Sequence, residues 1–186
     1  GAYHLTIPAP GEHMAYSASM AVAVGEELGL TEEEIVRGVA SYQPSGSRMR
    51  ILRLREDRLL LDDCYNANPQ SVTAALEILA KTESDQKIAV LGDMGELGEL
   101  TEQAHYNVGA LAAMLGVDFV AAVGEKAALI AEGCTESGGT ALHFNSRESA
   151  LRTLTAQFTP HTAMLVKASH AMRFGEIVEE LRKTYD

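Results

Sequence analysis

The sequence predicts an α/β protein: a doubly wound, mostly parallel sheet preceded by a small, mostly helical segment. Two observations carry this expectation. From Met49 onward, short apolar strands alternate with stretches of helical periodicity. Strands such as Ile88-Ala-Val-Leu91 are also apolar throughout, as in strands covered on both faces.

In chain order, residues 3–8 (Tyr-His-Leu-Thr-Ile-Pro) alternate like a strand and stop at a Pro/Gly turn. His13 to Leu28 places small and apolar residues at helical spacing and ends at Gly29. Thr31 is expected to cap a second helix, with Glu34 at the capping-box position and Ile35, Val36 and Val39 on its apolar side. The turn-rich stretch Tyr42-Gln-Pro-Ser-Gly-Ser47 reads as a connector, giving expected domains 1–46 and 47–186.

Beyond the connector, strands are expected at Met49–Leu54, Arg58–Asp63, Lys87–Leu91, Asp118–Val123, Ala141–Phe144 and Ala163–Lys167. Helices are expected at Pro69–Lys81, Thr101–Leu115 and Glu125–Glu132. Two more follow, one from a Ser146 cap to Gln157 and one over Phe174–Thr184.

Composition narrows the function classes. A length of 186 residues suits one sizeable domain plus a smaller unit. With 26 acidic against 15 basic residues and a formal net charge of −11, the chain has no basic footprint for nucleic acid. Its apolar runs are strand-sized, so no membrane insertion is expected. Cys64 and Cys134 lack metal-type spacing, which points to a reduced, cytoplasmic setting. An opening on Gly1-Ala2-Tyr3 that runs at once into strand-like sequence is expected of a fragment.

Three segments could carry chemistry. In the first, Leu61-Asp-Asp-Cys-Tyr-Asn-Ala-Asn-Pro-Gln-Ser71, a strand ends in two carboxylates and a helix opens on an Asn68 cap and Pro69. That arrangement offers free N–H groups to an anion. Asp63 could accept from a ribose hydroxyl or hold a metal-bound water, and Asn66 could read a base edge or a phosphate. Plain turn and cap chemistry explains the same residues about as well. The second segment, Val90-Leu-Gly-Asp-Met-Gly-Glu-Leu-Gly98, is neither GxGxxG nor a Walker loop and reads better as a structural loop. His105, early in the next helix, reads as a satisfied structural histidine. The third, Leu165-Val-Lys-Ala-Ser-His-Ala-Met-Arg-Phe174, gathers Lys167, Ser169, His170 and Arg173 at the end of the last strand, on the same sheet edge as the first. Such a group suits an anionic substrate. No base is evident for a covalent Ser169 mechanism. Arg48, alone at a strand start, reads first as a solvated charge.

Taken together, these residues resemble the Mur ligase family in its D-alanyl-D-alanine-adding branch. The resemblance rests on Asp62-Asp63-x-Tyr65-Asn66-Ala67-Asn68-Pro69-x-Ser71, on Leu91-Gly92-Asp93-Met94-x-Glu96-Leu97-Gly98 with His105, and on Lys167-x-Ser169 followed by Met172. Gly11-x-His13 and Gly46-x-Arg48 extend it over the whole chain. It implies a Rossmann-like carboxy-terminal domain preceded by the end of a central ATPase domain. It also implies ATP-dependent joining of D-alanyl-D-alanine to UDP-MurNAc-tripeptide through an acyl phosphate, with Mg²⁺ neutralising the phosphates. By the same resemblance Arg48 approaches the phosphates, and Asp63, Tyr65, Asn66 and Asn68 line the nucleotide side. Lys167, Ser169 and His170 then lie near the dipeptide, and a monomer is implied.

The chain departs from the family pattern in three places. His13-Met14-Ala15-Tyr16-Ser17 lacks the two Asn that usually follow this His, Ala168 stands for the usual Gly, and His170 for the usual Arg. The 186 residues contain no Gly-Lys-Ser/Thr phosphate loop. No complete catalytic set and no metal site are therefore expected in this chain, and it is expected to form no peptide bond alone. The alternatives are a non-catalytic nucleotide- or peptide-binding module, or a diverged Mur or folylpolyglutamate-type ligase acting on another amine. The Tyr65-Asn66-Ala67-Asn68 loop speaks against the folate reading.

Overall fold

The computed structural model describes residues 2–43 and 46–186. It divides into two compact units, Gly1–Ser45 and Gly46–Asp186.

The first unit is a helical pair, α1 (Met14–Glu27) and α2 (Glu32–Ala40). Thr31 closes the expected capping box: its Oγ1 accepts from the Glu34 amide at 3.3 Å, and Glu34 Oε2 accepts from the Thr31 amide at 2.8 Å. The helices approach closely at Gly25, where a Cβ would lie 2.7 Å from Ile35 Cγ1. Residues 3–8 form no strand, contrary to the sequence expectation. A strand needs a neighbour to complete its ladder, and the described part of this unit supplies only helices. Helix α1 and its capping residue Leu28 also leave a row of apolar side chains in solvent at four-residue intervals: Tyr16, Met20, Val24 and Leu28.

The second unit is the expected doubly wound domain. Its strands are β1 (Arg50–Leu54), β2 (Arg58–Asp63), β3 (Gln86–Gly92), β4 (Phe119–Val123), β5 (Ala141–Phe144) and β6 (Thr162–Lys167). They lie in the order β1-β2-β6-β3-β4-β5, and every pairing is parallel except that of β1 with β2. Helices α3 (Pro69–Lys81), α4 (Thr101–Met114) and α5 (Ala128–Glu136) cover one face, and α6 (Arg147–Gln157) and α7 (Gly175–Tyr185) the other. Leu61, Ala89, Leu91 and Leu165 point into the first layer, while Leu60, Ile88, Val90 and Val166 point into the second.

Start signals read from the sequence act as expected. Asn68 and Ser146 each cap a helix through a reciprocal pair, with Ser71 and Ser149 respectively. The fifth helix is displaced: it spans Ala128–Glu136, not Glu125–Glu132. Gly133 resembles a stop in sequence but lies within the helix, where a Cβ would come 2.1 Å from the Tyr106 carbonyl oxygen of α4. A matching Cβ on Gly109 of α4 would lie 1.9 Å from the Ile130 carbonyl oxygen. The two glycines let the helix backbones touch.

Both cysteines are buried and unpaired. Burial pushes the Cys64 thiol far up, and the neighbouring Asp62 and Asp63 carboxylates add to the shift. Burial also raises that of Cys134. A thiol whose folded pKa is raised keeps its proton after the unfolded chain has lost it. Its contribution to stability is full below the unfolded value, near 9, and declines as pH rises above it. The folded chain is expected to show no fast-reacting thiol towards a disulfide reagent at pH ~8, and both thiols after unfolding in urea. Midpoints should fall between pH ~9 and ~10.5; a rapid native reaction would contradict this burial.

Candidate functional site

The carboxyl ends of five parallel strands share one edge of the sheet, and β6 marks its switch point. The chain leaving β2 and the chain leaving β3 enter helices on one face, whereas the chain leaving β6, between them, enters α7 on the other. Diverging connections open a crevice outside the strand ends, where ligands collect in such sheets.

The register of β2 against β6 places Asp63 opposite Lys167. Paired residues of parallel strands project to the same face, and these two meet: Lys167 Nζ donates to Asp63 Oδ2 at 2.6 Å and to the Asn66 carbonyl oxygen at 2.8 Å. The Lys167 side chain is 2% exposed and that of Asp63 15%. The other carboxylate oxygen of Asp63 accepts from the Met49 amide at 2.9 Å. Asp62, on the opposite face of β2, receives Arg50 Nη2 at 2.9 Å, and its Oδ1 has no hydrogen-bond partner among the described residues.

A second group lies at the rim. The Arg48 guanidinium lies over the Tyr65 ring, 3.9 Å from its centroid, and the His170 ring meets Tyr65 edge-on at 6.1 Å. The Tyr65 amide donates to the Ser47 carbonyl at 3.0 Å. Arg48, read first as a solvated charge, therefore takes part in a cation–π contact on an exposed ring. Asn66 is exposed, and its Oδ1 accepts from the Ala67 amide at 2.8 Å. Asn68 Oδ1 accepts from the Ser71 amide at 2.8 Å, so this side chain is engaged in capping α3. Ser169 is half-buried, and its amide donates to the Asp93 carbonyl at 3.3 Å, tying the third segment to the second. The structure thus brings Arg48, Asp63, Tyr65, Asn66, Lys167 and His170 together.

The second segment is scaffolding. Gly92 leaves room for Ala168 and Phe174, since a Cβ there would lie 2.6 Å from each. Asp93 Oδ1 accepts from the Ala127 amide at 2.8 Å beside Gly124, a turn that sequence reasoning did not link to Asp93. His105 is fully buried; its Nε2 accepts from the Met94 amide at 2.9 Å, so Nδ1 carries the proton and donates to the Thr101 carbonyl at 2.7 Å.

The rim fits an anionic, partly aromatic ligand: a guanidinium, an exposed ring and an imidazole lie side by side. For Mg²⁺ the residues do not fit. No group of three metal-ligating side chains converges among the described residues, and Asp62, Asp63 and Asp93 are engaged with protein partners.

The family described as "Mur ligase, glutamate ligase domain" matches residues 47–170. The chain belongs to the Mur ligase family. It is 32% identical over 185 residues to the UDP-N-acetylmuramoyl-tripeptide–D-alanyl-D-alanine ligase of Escherichia coli, covering 98% of this chain and 40% of that enzyme. The ligase of the same name from Treponema pallidum is 36% identical over 181 residues, 96% of this chain and 39% of the relative. Among solved structures, MurF from Acinetobacter baumannii superimposes with a TM-score of 0.87 at 32% identity, covering 96% of this chain and 39% of that one. This Mur ligase chain therefore spans about two fifths of the length of the relatives it matches. No helix among its described residues is long and apolar enough to cross a membrane.

Proposed function

We propose that this chain is the carboxy-terminal part of a cytoplasmic, monomeric Mur ligase that joins D-alanyl-D-alanine to UDP-MurNAc-tripeptide at the expense of ATP. The observation that carries this reading is the rim of the crevice, where Arg48, stacked on Tyr65, and His170 flank the Asp63–Lys167 pair. Likeness to UDP-N-acetylmuramoyl-tripeptide–D-alanyl-D-alanine ligases along nearly the whole chain supports it.

In this reading residues 47–186 form the carboxy-terminal domain and 1–46 the end of the central ATPase domain. The exposed row Tyr16, Met20, Val24 and Leu28 along and just past α1 supports that division, because such a face suits the interior of a larger domain. The tripeptide carboxylate takes the γ-phosphoryl group of ATP and ADP leaves. The dipeptide amine then adds to the acyl carbon, phosphate departs, and the amine proton passes to solvent or phosphate. Arg48, Tyr65 and Asn66 face the nucleotide, Asp63 and Asn68 shape that side of the crevice, and Ser169 and His170 face the dipeptide with Lys167 beneath them. A domain that swings over the reactants keeps water from the acyl phosphate. Mg²⁺, which the reaction would use to neutralise phosphate charge, finds no ligand set among this chain's described residues. The 186 residues alone are expected to form no peptide bond.

The test is ligation by the complete polypeptide, given ATP, Mg²⁺, UDP-MurNAc-tripeptide and a panel of amines. Selective use of D-alanyl-D-alanine is expected. Asn66→Ala should lower kcat/KM roughly 10- to 100-fold at unchanged melting temperature, the scale of one hydrogen bond to a charged group. ATP binding without turnover of the dipeptide would overturn the reading and favour a diverged ligase.

A further inference from the structure

We propose that Lys167 is a positioning residue for Arg48, acting through Asp63 and the Asn66 carbonyl without touching the incoming dipeptide. The inference deepens the proposed ligase reading and rests on it.

Two chains of contacts leave the Lys167 ammonium and converge on either side of Arg48. One passes through Asp63, which accepts from Lys167 at 2.6 Å and from the Met49 amide at 2.9 Å. The other passes through the Asn66 carbonyl, 2.8 Å from Lys167 Nζ, into the loop whose Tyr65 amide holds the Ser47 carbonyl at 3.0 Å. Ser47 and Met49 flank Arg48, and the guanidinium between them lies 3.9 Å from the centroid of the Tyr65 ring. Met49 has φ 50°, a left-handed conformation that costs a non-glycine residue energy and persists where surrounding bonds impose it. The Asp63 carboxylate supplies one such bond, and Lys167 holds the carboxylate.

The same geometry argues against a direct dipeptide contact. The Lys167 side chain is 2% exposed. Two of the three Nζ–H groups are taken by Asp63 and the Asn66 carbonyl, and a substrate carboxylate reaching the buried third would have to move aside the groups that cover it. Lys167 and Arg48 are 119 positions apart in sequence, so nothing local in the chain signals the link.

The test is a mutant cycle in the complete polypeptide. Lys167→Met is expected to lower kcat/KM for ATP on the order of 100-fold, the scale of a misplaced binding group, with KM for D-alanyl-D-alanine unchanged. In an Arg48→Ala background the same substitution should add almost nothing, because the group it positions is gone. Losses that multiply, or a raised dipeptide KM with ATP kinetics intact, would overturn the proposal. Asp63→Asn approaches the link from the other end without changing size, and the same pattern is expected should Lys167→Met not fold. Amide hydrogen exchange of the 186-residue chain decides the point without turnover. The Met49 and Tyr65 amides should exchange faster in either variant by more than the β3–β4 ladder, which reports only the global loss of stability, and protection lowered no more than the ladder's would sink the idea. If the unsubstituted enzyme does not use D-alanyl-D-alanine, the proposed function fails while the exchange result still stands.

Discussion

Lys167→Ala is expected to destabilise the domain by about 3 kcal/mol, read as a lower urea midpoint at unchanged slope. The ammonium is buried between Asp63 and the Asn66 carbonyl. Its removal leaves a carboxylate that is 15% exposed and a carbonyl oxygen without its donor. The slight exposure of Asp63 lets water repair part of the damage, which places the figure at the lower end for a broken buried pair. Lys167→Ala/Asp63→Ala should recover some of the loss, since the stranded charge goes with it. A double variant less stable than the single by the full cost of a second truncation would mean that the pair is not a coupled unit.

The second large effect is expected at the α4–α5 crossing. Gly133→Ala places a methyl where the Tyr106 carbonyl oxygen lies 2.1 Å away, and Gly109→Ala one where the Ile130 carbonyl oxygen lies 1.9 Å away. Neither obstacle is a side chain that could rotate aside. The helices must separate, and each substitution should cost about 3 kcal/mol, the upper range for overpacking. Helix propensity works in the opposite direction by about 1 kcal/mol, so a net stabilisation by either alanine would show that the helices do not touch there. Gly38, with nothing within 4 Å of its missing Cβ, is the control: Gly38→Ala within α2 should be neutral or slightly stabilising.

Much of the fold was legible because the deciding signals are local. Apolar runs of strand length set β2, β4 and β5 within a residue at each end, and Asn68-Pro69 and Ser146 announced their helices through caps that the structure contains. The misplacement of α5 has the opposite cause. Gly133 looks like a helix stop until the partner helix at 2.1 Å is known, and that partner is a tertiary fact. Residues 3–8 have a strand pattern without a strand beside them. At the site, the sequence placed Lys167 and Asp63 on the same sheet edge but not in contact. Their meeting depends on β6 inserting beside β2, which no residue at either position encodes. The stacking of Arg48 on Tyr65 was hidden for a similar reason, since the tie between Ser47 and Tyr65 bends the chain back on itself.

The place of β6 in the sheet also sets a timetable for synthesis. The strand made last among six sits between β2 and β3, so those two never pair with each other. A ribosome that has released residues up to about 160 has produced two half-sheets, each with a bare apolar edge and no shared ladder. Such edges invite pairing with other chains. Closure awaits residues 162–167, and α7 then seals the second face. Vectorial folding can therefore shape the α3–α5 layer early, but the ligand crevice arises only in the final step. A premature stop or a nick just ahead of Thr162 would discard the crevice together with the strand that joins the two half-sheets.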